Sequence, residues 1–110
     1  VPDNKAILVA FSSPASPEQA EEFTTWYEGT HIPEVRANVP GIVDVQRYAL
    51  VDPAAADGPT QRFMALYFLE GDVTAAAGAL GAAAAGGKLT MTSAMDVSND
   101  PSVLHWGTRI

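Results

Sequence analysis

Apolar and polar positions follow two rhythms along this chain. Lys5 to Ser12 contains Ala-Ile-Leu-Val-Ala-Phe, a short, partly β-branched apolar run closed by Ser-Ser-Pro. It predicts a buried first strand. The rhythm lengthens after Ser16-Pro17-Glu18-Gln19. There Ser16 suits a cap, Pro17 the first helical position and Gln19 a capping box. Ala20, Phe23, Trp26 and Tyr27 then recur on one side at helical spacing, with Glu21, Glu22, Thr25 and Glu28 on the other. This predicts an amphipathic helix with an aromatic inner face, its first-turn acids favoured by the helix dipole. Gly29 reads as its C-terminal stop. Pro33 then starts a second short helix through Glu34, Val35, Arg36 and Ala37, and Pro40-Gly41 predicts a turn.

The rhythm shortens again over Ile42 to Val51, where Val43, Val45 and Arg47 alternate with Asp44, Gln46 and Tyr48. One face of this strand is expected to be buried and the other semi-polar. Asp52 to Thr60, rich in Pro, Ala and Gly, is long for a hairpin loop and is expected to be mobile. Arg62 to Leu69 is a strand apolar on both faces, so a sheet covered on both sides is implied. Asp72 caps a further helix with Val73, Ala76, Ala77, Leu80 and Ala84 inside. Gly78 and Gly81 weaken it by about 1 kcal/mol each relative to Ala, and Gly86-Gly87 ends it. Lys88 to Asp100 has no clear period and predicts a loop with a possible helical turn. Ser102 to Ile110 reads as the last strand. There is no internal sequence repeat. The order β-α-β-β-α-β predicts a ferredoxin-like α+β sandwich, one four-stranded antiparallel sheet with both helices on one face. The same face of a second copy is the economical cover for the other side, giving a homodimeric α/β barrel.

Composition narrows the partners. At 110 residues with 47% hydrophobic and 17% charged positions, the chain suits one globular domain spanning 1–110. Such a domain is small for a deep closed pocket. Six basic against thirteen acidic residues give a formal net charge of −7. With no Lys/Arg cluster to offset it, nucleic acid and anionic membranes are not expected as partners. The absence of cysteine removes disulfides, thiolate nucleophiles and Cys-based zinc sites and fits a reducing cytoplasm. Val-Pro-Asp-Asn-Lys at the start lacks signal-peptide features, and no apolar run approaches a membrane span.

Chemistry concentrates between Phe23 and Gly41. Trp26-Tyr27-x-x-x-His31-Ile32-Pro33, followed by Pro40-Gly41-Ile42, resembles the dimeric α/β-barrel superfamily, particularly its EthD-like branch. The resemblance is specific over Phe23 to Tyr48 and topological elsewhere. It implies a barrel-forming dimer and a set of possible reactions: cofactor-free monooxygenase, polyketide cyclase, dehydratase or muconolactone isomerase. It also implies an acid/base role for His31 and a pocket-facing role for His105 on the last strand.

His31 titrates near neutrality and suits proton transfer during enolisation, dehydration or ring closure. Its structural alternative is a brace at the helix-helix turn. For His105 the alternative is a satisfied histidine in the sheet or at a dimer seam. Strand parity sends either His105 or Trp106 toward the helices, not both. Trp26, Tyr27, Tyr48 and Tyr67 are candidate walls for a flat, aromatic or polyketide-like ligand, against the alternative of ordinary core packing. Arg47 suits a carboxylate or enolate oxygen, or a salt bridge. His31, Glu34 and His105 match no standard metal spacing. No phosphate loop, dinucleotide fingerprint or nucleophile elbow is present.

The expected function is therefore a cofactor-independent cyclase, dehydratase or isomerase acting on a small carbonyl-bearing aromatic or polyketide-like molecule. A cofactor-free monooxygenase, or a non-catalytic small-ligand or stress-response module, is the alternative.

Overall fold

In the computed structural model, residues 5–55 and 62–110 are described. β1 spans Ala6–Ser12, α1 Ala20–Trp26, α2 Ile32–Asn38, β2 Ile42–Ala49, β3 Phe63–Leu69, α3 Val73–Ala85 and β4 Val103–Thr108. The four strands form one sheet in the order β2-β3-β1-β4, every neighbouring pair antiparallel. This is the ferredoxin-like arrangement the element order predicts.

Register decides which side chains meet. Val45, Tyr67, Leu8 and Trp106 form one row across all four strands. This row faces the helices, and Leu8 and Tyr67 are fully buried there against Phe23, Tyr27, Val35, Val39 and Ala76. The adjacent row, Gln46, Leu66, Val9 and His105, points to the other side of the sheet. β3 is apolar on both faces, as its sequence predicts.

Several local expectations change. The helix does not stop at Gly29: Tyr27–His31 forms a π-helical turn that joins α1 to α2. Ser16 makes no backbone cap. Its hydroxyl instead donates to the side-chain carbonyl of Gln19 at 3.0 Å, and Pro17–Gln19 is a 3₁₀ turn leading into α1. Asp72 does cap α3, accepting from the Ala75 N–H at 3.1 Å. β2 ends at Ala49, leaving Leu50 and Val51 exposed, and a bulge at its start turns Val43 outward. Pro40-Gly41 turns as expected, with Gly41 at φ +95°. The loop expected over 52–60 falls partly outside the described residues; Pro53–Ala55 forms a 3₁₀ turn.

Residues 88–100 form no helical turn. Most of them are exposed, and Ala94 alone is fully buried, with the Ala15 N–H bonded to its carbonyl at 2.6 Å. Among the described residues no helix is long and apolar enough to cross a membrane.

Candidate active site

The π turn creates the site. Pro33 has no N–H to donate to the carbonyl four residues back, so the α-helical ladder cannot continue unaltered past Gly29. The wider turn preserves helical continuity and changes which side chains are neighbours. At α-helical spacing, residues five apart point about 140° away from each other. Here Trp26 and His31 stack, with ring centroids 4.7 Å apart and planes 24° apart. The Tyr27 ring lies 4.8 Å from His31.

Tyr27 reaches across to β3, where its hydroxyl meets that of Tyr67 at 2.9 Å. Each phenol has a buried oxygen satisfied by the other. Burial holds both hydroxyls above the ordinary tyrosine range, most strongly at Tyr67. Arg47 sits behind this pair, its guanidinium 4.7 Å from the centroids of both Tyr27 and Phe63. It also donates to the Glu28 carboxylate at 2.9 Å. Of its two candidate roles, the salt bridge is the one this contact fits.

Between the sheet and the helices lies a cavity of about 190 Å³. Leu8, Ala10, Tyr27, Val35 and Tyr67, all buried, form its floor, and His31 lies at its wall. Ala84, Ser102 and Leu104, all exposed, mark its mouth between the end of α3 and the start of β4. The short side chains of α3 fill little of the gap over β4. His31 is largely buried, and desolvation lowers its pKa despite the opposing charge of Glu34. Its ring is therefore neutral at pH 7, and its Nδ1 is buried without a hydrogen-bond partner. Glu34 is committed elsewhere, accepting from both the N–H and the hydroxyl of Thr90 at 2.6 Å.

The structure thus brings together His31, Tyr27 and Tyr67. Trp26 backs His31 without lining the cavity, and its indole N–H donates to the Thr90 carbonyl at 3.1 Å. His105 lies on the opposite side of the sheet, edge-on to Phe11. Tyr48 also lies on that side, 46% exposed and donating to Gln46 at 2.7 Å. Neither reaches the His31 cavity. Leu80, Leu89 and Met95 line it as well. Leu80 was legible as the inner stripe of α3, but Leu89 and Met95 sit in a segment with no period to place them. No group of three or more potential metal ligands occurs among the described residues.

No protein-family model matches the chain, and no curated protein is similar to it in sequence. Solved structures are similar in fold. An EthD-like protein from Ralstonia eutropha superposes with a TM-score of 0.60 at 16% identity, over 96% of this chain and 92% of that one. An ethyl tert-butyl ether D (EthD) family protein from Bacillus halodurans gives 0.58 at 18% identity, over 96% and 99%. The chain has an EthD-like fold. HapK from Hahella chejuensis shares it more distantly, with a TM-score of 0.53 at 12% identity over 96% of this chain and 92% of that one. The expected fold is therefore met across nearly the whole chain, beyond the Phe23–Tyr48 stretch that carried the resemblance.

Proposed function

We propose that this protein is a cofactor-independent enzyme that moves a proton on a small carbonyl-bearing molecule, in the manner of a cyclase, dehydratase or isomerase. One observation carries the reading: a neutral, desolvated imidazole and two tyrosines paired through their hydroxyls line the same apolar cavity. His31 takes the proton from the carbon beside the carbonyl, and the electron pair moves onto the carbonyl oxygen. One phenolic proton bridges Tyr27 and Tyr67, and the other donates to that developing enolate. His31 then returns its proton to carbon, or to a departing hydroxyl, completing isomerisation or dehydration. A homodimer closed over the free sheet face belongs to the same reading. Ile7, Val9, Phe11, Met64 and Leu66 present an apolar surface there.

Exchange of α-protons in enolisable ketones, followed by NMR in heavy water, tests this. His31→Asn is expected to slow exchange by about 10²–10⁴-fold, and replacement of both Tyr27 and Tyr67 with Phe by about 10²–10³-fold. Turnover that consumes dioxygen would favour a monooxygenase. A His31→Asn change that alters affinity alone would favour a binding module.

A further inference from the structure

The size and polar inventory of the cavity narrow its ligand, an inference that rests on the proton-transfer reading above. A dry cavity of about 150 Å³ accommodates benzene, and a water molecule's share of liquid is about 30 Å³. At about 190 Å³, the cavity beside His31 holds one six-membered ring and a small substituent. A second fused ring would project through its mouth.

Apart from His31, no acidic or basic side chain among the described residues lines the cavity. Arg47 contacts the Tyr27 ring but is not part of the lining, and Glu34 is bonded to Thr90. A charged ligand would lose its hydration with no counter-charge on the wall. The Tyr27–Tyr67 pair shares one of its two protons between its oxygens, leaving one donor for a ligand acceptor, and Ser12 and Ser102 add hydroxyls to the wall.

We infer that the site takes an uncharged, single-ring molecule bearing a carbonyl, which enters past Ala84 and Leu104 and accepts a hydrogen bond from the tyrosine pair. Carboxylates and fused bicyclic ketones are rejected.

Calorimetric titration of the full chain with acetophenone, toluene, benzoate and 1-tetralone tests this. Acetophenone is expected to bind at least tenfold more tightly than benzoate or 1-tetralone. Replacing both Tyr27 and Tyr67 with Phe should reduce its affinity to that of toluene. Ala84→Leu, a change at an exposed helical position, should narrow the mouth and weaken acetophenone about tenfold while leaving thermal stability intact. Benzoate binding as tightly as acetophenone, 1-tetralone binding more tightly, or no ring compound binding at all would overturn the inference. Acetophenone bound without α-proton exchange would uphold the ligand class and overturn the proton-transfer reading. Exchange confined to 1-tetralone would do the reverse.

Discussion

Tyr67 sits on the central strand β3, where its phenol cannot reach bulk water and finds its partner in Tyr27, 2.9 Å away. Removing one hydroxyl leaves the other buried and unpaired, so Tyr67→Phe should cost about 1–2 kcal/mol in urea unfolding. Replacing both with Phe should cost less than the sum of the two single changes, because neither orphan remains. His31 makes a pH prediction with a definite sign. Desolvation lowers its folded-state pKa below the ordinary value of 6.5. As pH falls below 6.5, the unfolded chain therefore binds the proton first and stability declines, whereas above that value the term is flat. Catalysis by the free base should likewise have an acid limb below 6.5, read from kcat/KM against pH. The tyrosine pair was only partly legible in advance. Both residues read as candidate walls, but their meeting depends on a separation of 40 positions that no local pattern encodes.

Gly29 is where sequence and element diverge. Gly followed by Thr-His-Ile-Pro reads as one helix ending and another beginning, and the same residues support a continuous helix with a widened turn. Gly29 has no positive φ, and a Cβ there would meet nothing within 4 Å. Gly29→Ala should therefore stabilise the protein by about 0.5–1 kcal/mol, measured by thermal or urea unfolding. The amphipathic stripe of α1 and the cap of α3 were legible because both are local. The segment from 88 to 100 was not. Its place is set by partners far along the chain, Ala15, Trp26 and Glu34, while its own residues carry no period. It nonetheless supplies Leu89 and Met95 to the cavity.

Across the molecule, the double-sided apolarity of β3 is the feature that reads most directly from sequence to architecture. Tyr67 and Leu69 are shut beneath the helices, while Met64 and Leu66 lie on the face with no helix over it. A second copy on that face should give twice the chain mass in sedimentation equilibrium. Leu66→Glu, which puts a charge at its centre, should shift the protein to monomer. The same parity places His105 on that face, away from the His31 cavity. The sequence showed that only one of His105 and Trp106 could turn inward, and register with Leu8 decided for Trp106. The account still turns on the cavity itself, a desolvated space that keeps its imidazole uncharged. Its most direct test is an NMR titration of the imidazole in a His105→Asn background, where His31 is the one histidine left. A midpoint clearly below about 6.5 is the result expected here, and a midpoint at or above that value would contradict a desolvated His31 and the chemistry drawn from it.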